Sequence, residues 1–254
     1  MLIYIYDKTF AGVLTALFDV YNRREFPAML LEEGAVLPLF FDQLHRVYTD
    51  MEKANRVWRG LCGKLSPVAL AALKGCWMSE LPEAPMLLLR YMKKTFDASV
   101  SIEVNFGDED VLAVTKIYRQ VCQERLRILQ FLRFQKTIDG LYFAPIKPKF
   151  NVLPLTVAHF KDRFADQKWL IYDFRRQYGY YYDLNRVDEV TFNENEEQLL
   201  SGVLDDSLLV HDEQLFQQLW KTYFKATAIQ ERRNPRKQRQ DMPMRFWEFL
   251  TEKQ

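Results

Sequence analysis

Residues Leu132–Asp183 read LRFQKTIDGLYFAPIKPKFNVLPLTVAHFKDRFADQKWLIYDFRRQYGYYYD. Asp139-Gly140 sits between two alternating runs, FLRFQKTI and LYFAPI. That is a hairpin signal, because Asp-Gly supplies the positive φ a tight turn needs. Asn151–Leu155 turns into a helix, with Pro154 near its start and His159, Phe160, Arg163 and Phe164 along it. Lys168–Asp173 and Gly179–Asp183 alternate as a second strand pair, joined by FRRQY. The order is β-β-α-β-β, with Val187–Phe192 a candidate fifth strand. The spacing predicts a helix over Leu153–Phe164 flanked by two antiparallel strand pairs, turning at Asp139-Gly140 and Tyr178-Gly179.

Upstream of this block the pattern is mostly helical. Leu2–Tyr6 reads as a short strand, Asp7–Thr9 as a helix cap. Phe10, Val13, Leu14, Leu17, Phe18 and Tyr21 then share one helix face. Residues 50–64 and 66–78 read as helices, the second capped by Ser66 with Pro67 at its first position. Met86–Phe96 and a long stretch from Val111 to about Phe131 follow. On that last helix Val114, Ile117, Val121 and Ile128 mark the apolar side, and Lys116, Arg119, Gln123, Arg127 and Gln130 the other. Two readings stand for the polar side: a solvated face, or a cationic track. Arg125 falls among the apolar positions and needs a partner if buried. The fold class is therefore α+β, predominantly helical, with a small antiparallel sheet in the second half. No repeat or low-complexity linker breaks the chain, so residues 1–254 read as one compact unit, with 1–130 and 131–254 as candidate lobes.

Composition narrows the class further. The chain of 254 residues has only 9 Gly and 10 Pro, which argues against an all-β barrel of tight turns. Three cysteines, Cys62, Cys76 and Cys122, are odd in number and widely spaced. Neither a disulfide framework nor a metal site is expected, no cofactor is implied, and a reducing cytoplasm fits. No apolar run approaches the ~20 residues of a membrane span, and MLIYIYDKTF lacks the basic start of a signal peptide. P-loop, Rossmann glycine, HExxH and iron–sulfur cysteine patterns are all missing.

Charge is nearly balanced, 35 Lys+Arg against 34 Asp+Glu, except near the end. Between Lys225 and Arg245, seven basic residues (Lys225, Arg232, Arg233, Arg236, Lys237, Arg239, Arg245) face two acidic ones, Glu231 and Asp241. Trp220, Tyr223, Phe224, Phe246 and Trp247 edge the patch. Basic clusters edged by aromatics suit phosphate backbones and stacked bases, although a basic loop also serves as plain solvated surface. Asn234-Pro235 marks a turn before a last helix. Of three histidines, His159 lies near Asp162, Asp166 and Asp173 in sequence, so a His–Asp acid–base pair or a structural histidine are both open. Tyr178, Tyr180, Tyr181 and Tyr182 either offer stacking rings or fill a core.

Several blocks together carry a family resemblance. They are YDKTFAGVLTALFDVY at the start, VWRGL at 57–61, LRFQKTIDGLYFAPIKPKFNVLPL at 132–155, HFKDRFADQKWLIYDFRRQYGYYYD at 159–183 and ERRNPRKQRQDMPMRFWEFLTEK at 231–253. They resemble the bacterial family described as DNA metabolism proteins, a domain of unknown function. Its members are encoded beside a radical SAM protein of DNA modification or repair, and some are fused to a uracil-DNA-glycosylase-like domain. Leu126 stands where members often carry a His, and Gln238 and Asp241 stand in a block where they often carry His, so those histidines are not indispensable catalysts. The resemblance implies an accessory protein that binds DNA and a radical SAM partner. Matching positions favoured for nucleic-acid contact are Arg133, Gln135, Arg163, Trp169, Arg232, Arg233, Asn234 and Arg245, with Arg236 added from the charge cluster. Two alternatives remain: a base-processing enzyme using His159 with a nearby Asp, for which Asp173 is the candidate, and a protein scaffold that touches no nucleic acid.

Overall fold

The computed structural model describes residues 1–192, 215, 217–223 and 234–253. The chain divides into two compact units, Met1–Cys122 and Gln123–Gln254.

The first unit begins with β1 (Leu2–Tyr6), whose residues from Ile3 to Tyr6 are all buried. The Thr9 hydroxyl then accepts from the Gly12 amide at 2.9 Å and starts α1 (Phe10–Arg23). Arg24 ends that helix in the left-handed region, φ 57°. Two short strands follow, β2 (Met29–Glu32) and β3 (Gln43–Arg46), both parallel to β1, in the order β2-β1-β3. Sequence patterning finds only β1 of these three. β1 alternates over a buried run, whereas β2 and β3 are four residues each and β3 is largely exposed. The connection between them exposes Val36 (93%), Leu39 (93%) and Phe40 (86%).

Helices α2 (Met51–Lys64), α3 (Pro67–Met78) and α4 (Ala84–Asp97) complete the unit, with the first half of α5 (Glu109–Phe131). Their starts are where the sequence places them. Asp50 caps α2 through the Glu52 and Lys53 amides, Ser66 caps α3 with Pro67 at the first position, and Asp108 accepts from the Asp110 and Val111 amides of α5. α1 packs on α2 and α4. Leu17, Leu61, Leu73, Leu88 and Met92 close the core without exposure.

The second unit holds a five-stranded sheet, β4-β5-β6-β7-β8 in order, from β4 (Gln135–Lys136), β5 (Tyr142–Ile146), β6 (Trp169–Asp173), β7 (Tyr178–Tyr182) and β8 (Val187–Val190). The expected helix appears as a 3-10 turn, Leu153–Leu155, followed by α6 (Val157–Arg163). The two hairpins are antiparallel, but β5 and β6 pair in parallel. The α+β class holds, while the sheet is mixed rather than purely antiparallel. The reason lies in residues 147–168: a strand–helix–strand segment returns the chain to the same end before the next strand, which lays the two strands side by side in one direction. Pro145 is tolerated inside β5 because β4 pairs only as far as Phe143, leaving that edge open at Pro145.

The second turn also differs from expectation. Tyr178 and Gly179 belong to β7, and the turn is made by residues 174–177, with Gln177 at φ 59°. Gly179 is needed for contact instead: a Cβ there would lie 2.5 Å from the Ile171 carbonyl and 2.8 Å from the Tyr172 ring. Beyond the sheet, α7 (Pro235–Asp241) precedes a 3-10 segment, Met244–Phe249. Among the described residues no helix is long and apolar enough to cross a membrane.

Candidate nucleic-acid interface

Buried carboxylates organise the arginines of the second unit. Glu124, in the second half of α5, is almost wholly buried. Its Oε1 accepts from the Lys149 amide at 2.7 Å. Its Oε2 is bonded by Arg245 and lies 3.7 Å from Arg127. Arg125, the cation expected to need a partner, donates Nε to the Leu155 carbonyl at 2.9 Å. Farther along, Arg133 Nη2 donates to Glu252 at 2.8 Å while Nη1 reaches the Gln130 and Leu132 carbonyls. Trp220 Nε1 donates to the other Glu252 oxygen at 3.0 Å, and the Arg133 guanidinium lies 6.0 Å from the Trp220 ring centroid. Burial alone would raise the Glu252 carboxyl, but backbone donors and Arg133 hold it below its ordinary value. Arg133 and Arg245 therefore tie the C-terminal segment to α5 and its end. Each pairs with a buried carboxylate while its own side chain stays partly open to solvent, so part of its charge is already neutralised from within the protein.

The other sequence candidates fall in varied places. Trp169 is fully buried in β6, its ring 5.4 Å from that of Tyr182, so no ring face is open to a base. Its Nε1 and the Oε1 of Gln135 in β4 are buried with no hydrogen-bond partner. Tyr172 is also fully buried and stacks on Phe192 at 4.1 Å, while the Tyr178 hydroxyl donates to Asn151 and that of Tyr180 to Glu189. Tyr172 and Tyr182 are therefore core, while Tyr178, Tyr180 and Tyr181 are half-buried, with the register placing Tyr180 and Tyr182 on the face of Ile171 and Trp169.

His159 and Asp173 do not form a pair. His159 is exposed on α6, edge-on to Phe160 at 5.5 Å. Asp173 is at 0% exposure in β6, where its carboxylate accepts from Arg176 Nη1 at 2.9 Å and from the Arg175 and Arg176 amides. Burial raises the Asp173 carboxyl above its ordinary value, and Arg176 opposes that rise. Its partners close the β6–β7 turn. Arg163 is exposed, its guanidinium 5.7 Å from the Phe164 ring.

In the described part of the basic tail, the short helix α7 stays open to solvent. Asn234 caps α7, accepting from the Lys237 amide at 3.0 Å, with Pro235 at the first helical position. Arg236, Lys237 and Arg239 are all exposed. Lys237 pairs with Asp241 at 2.9 Å. Arg236 and Arg239 have no carboxylate partner among the described residues and lie three positions apart, on one face. Arg232 and Arg233, like Lys225 and Phe224, lie outside the described residues.

One polar cluster escaped the sequence reading. In the first unit Asp19 Oδ2 is 2.9 Å from His45 Nε2, and Asp19 Oδ1 accepts from Lys53 at 3.3 Å. The His45 ring lies 4.6 Å from that of Tyr4, its register partner across β1 and β3. Nothing local announces this pair: Asp19 stands on α1 and His45 on β3, 26 positions apart, and β3 is placed there by its parallel pairing with β1. No group of three or more His, Cys, Asp or Glu that could hold a metal gathers among the described residues. Cys62, Cys76 and Cys122 are free thiols, and burial pushes Cys76 up to about 12.

These features define an α+β protein with an exposed cationic helix near its C-terminus. Residues 82–252 match the family DUF4130, a domain of unknown function, and the chain belongs to that family. A comparison with curated proteins finds no match. Among solved structures, the chain is similar to the pGpG-specific phosphodiesterase PggH from Vibrio cholerae, at 10% identity and a TM-score of 0.36, over 89% of this chain and 98% of that one. A likeness of that size does not define a shared fold or carry a function across.

Proposed function

We propose that this protein is an accessory component of DNA repair or modification that binds DNA through its basic C-terminal region and acts together with a radical SAM protein. The observation that carries the DNA half is α7: exposed Arg236 and Arg239 on one face, with no carboxylate partner among the described residues. The favoured contacts narrow to Arg236, Arg239 and the neighbouring Arg232 and Arg233, with Asn234 as the cap that fixes the helix start. Trp169 is enclosed in the sheet, and Arg133 and Arg245 are engaged by Glu252 and Glu124, so these positions are set aside as primary contacts. The partner half draws on the family resemblance and on the apolar residues Val36, Leu39 and Phe40, which stand exposed together in the first unit. An acid–base pair of His159 with Asp173 is not supported, because the Asp173 carboxylate is held by Arg176.

The test is a salt titration of binding to one duplex and one single strand, for the native protein and for Arg236→Gln/Arg239→Gln. Each lost phosphate contact should lower the log–log salt slope by roughly 0.7–0.9 and weaken binding alike on every sequence. An unchanged slope with unchanged affinity would move the protein-scaffold reading ahead. Co-expression with the radical SAM protein should recover both chains together, and separate elution of two folded proteins would remove the partner half.

A further inference from the structure

A groove of about 720 Å³ opens on the first unit between α1, α2 and α4. That volume suits a small molecule, since ligand sites commonly span ~300–1,000 Å³. Its walls are Leu17, Phe18, Tyr21 and Asn22 from α1, Arg56, Val57 and Gly60 from α2, and Phe96 from α4. Three of these side chains are aromatic rings. The groove is open rather than closed over, so a ligand reaches it without rearrangement of the core.

Two of the walls are held in position before any ligand arrives. The Tyr21 hydroxyl donates to Asp97 Oδ1 at 2.6 Å and lies 3.2 Å from the Lys93 carbonyl, yet 43% of the residue stays exposed. Its ring meets Phe96 edge-on at 6.1 Å. Phe96 in turn lies against α2 only because residue 60 is glycine: a Cβ there would come within 2.8 Å of the Phe96 ring. Gly60 therefore sets the depth of the groove. Fixed rings of this kind are stacking surfaces that cost little ordering entropy when a planar group lands on them.

The charge on the rim is positive. The Arg56 guanidinium stands 5.8 Å from the Phe18 ring centroid and has no carboxylate partner among the described residues. Lys53 is 5.5 Å from the centroid of the same ring and shares the Asp19 carboxylate with His45. The acidic residue nearest Tyr21, Asp97, is neutralised by Lys93. Asn22 is exposed at the groove wall and has no hydrogen bond among the described residues, so its amide can both donate and accept. Rings for a planar face, an amide for a ring edge and an unpaired guanidinium for an anion make a matched set.

We infer that this groove binds a nucleoside monophosphate, its base against Phe18 and Tyr21, its edge at Asn22 and its phosphate on Arg56. The site is built from residues of the first unit alone and does not depend on the DNA-binding reading. The experiment is calorimetric titration of the full chain with each of the four deoxynucleoside 5′-monophosphates, with the matching nucleosides and inorganic phosphate as separate arms. At least one monophosphate should bind saturably and more tightly than its nucleoside or phosphate alone. Arg56→Gln should weaken it about tenfold or more, the size expected for one charge-assisted hydrogen bond. Arg59→Gln, on the same helix but outside the groove, should leave binding unchanged. Phe18→Leu should weaken monophosphate and nucleoside binding together. No saturation by any of the four would overturn the site. Equal binding of phosphate alone would remove the base, equal binding of nucleoside would remove the anion contact, and equal loss in both arginine variants would reduce the effect to net charge. Circular-dichroism melts of each variant separate loss of the groove from loss of the fold.

Discussion

At the scale of single residues, sequence proximity and structural role come apart most clearly at His159 and Asp173. They share a short segment and look like an acid–base pair, yet one is exposed and the other is enclosed with Arg176. The two therefore answer differently to truncation. Asp173→Ala leaves the nearly buried Arg176 guanidinium without its carboxylate, with the Pro148 and Lys149 carbonyls still beside it, and the Arg175 amide without its side-chain acceptor. Breaking a buried pair from one side costs about 3–5 kcal/mol, so the variant should unfold at much lower denaturant. His159→Ala removes an exposed ring with no carboxylate partner and should stay within about 0.5 kcal/mol of the native protein. Chemical denaturation of both variants checks this, together with DNA binding of the His159 variant. If an activity on damaged DNA were found that His159→Ala abolished without loss of binding, the enzymatic reading would return. The sequence could not have shown which carboxylates Arg133 and Arg245 meet, because Glu252 and Glu124 lie 119 and 121 residues away. Distant ion pairs leave no periodic trace.

Among elements, what was legible follows from how local each signal is. Helix starts at Asp50, Ser66 and Asn234 are written in three or four residues each, by a side-chain acceptor and, for two of them, a proline. The Asp139-Gly140 hairpin is equally local, with Gly140 at φ 81°. The parallel pairing of β5 with β6 is not local, and neither are β2 and β3, whose four-residue lengths carry too little alternation to register. Gly179 shows how one residue type supports two readings. As a turn residue it would matter through backbone conformation, but inside β7 it matters through space. Gly179→Ala should therefore destabilise by about 1–3 kcal/mol, as overpacking does, because the close neighbours are the Ile171 carbonyl and the Tyr172 backbone, which cannot swing away. Thermal unfolding measures it. A neutral result would mean that β6 and β7 separate enough to admit a methyl group, and the contact argument would fail.

Across the whole molecule, the carboxylates set how stability should depend on pH. Asp97, Asp108, Asp110 and Glu103 in the first unit, and Glu252 in the second, are all held below their ordinary values. For Asp97 and Asp108 the main cause is the hydrogen bond from Lys93 and from Lys94. For Asp110 and Glu103 burial works the other way, and is outweighed by Arg90 and Lys94 at Asp110, and by Ser66 at Glu103. A carboxyl with a lower value folded than unfolded binds its proton more tightly in the unfolded chain. Its contribution is complete above the ordinary carboxylate range, near 4, and disappears as pH falls through the folded value. Asp173 has the opposite sign: its raised value means that its own contribution grows as pH falls. Asp7 and Asp183 are held low as well, Asp7 against its burial by hydrogen bonds from the Thr9 and Thr49 side chains, and Asp183 by the Arg186 and Asn185 amides. Seven groups of one sign against one of the other predict a melting temperature that is flat between pH 7 and 5 as far as these carboxylates determine it, then falls steeply below about pH 4. Asp108→Asn/Asp110→Asn removes two of the seven and should flatten the acid limb while lowering stability at pH 7. A melting temperature unchanged from pH 7 to pH 3 would show that these ion pairs are equally strong in the unfolded chain. A double variant with the native acid slope would place the lost protons elsewhere, leaving the other five carboxylates to account for the acid limb.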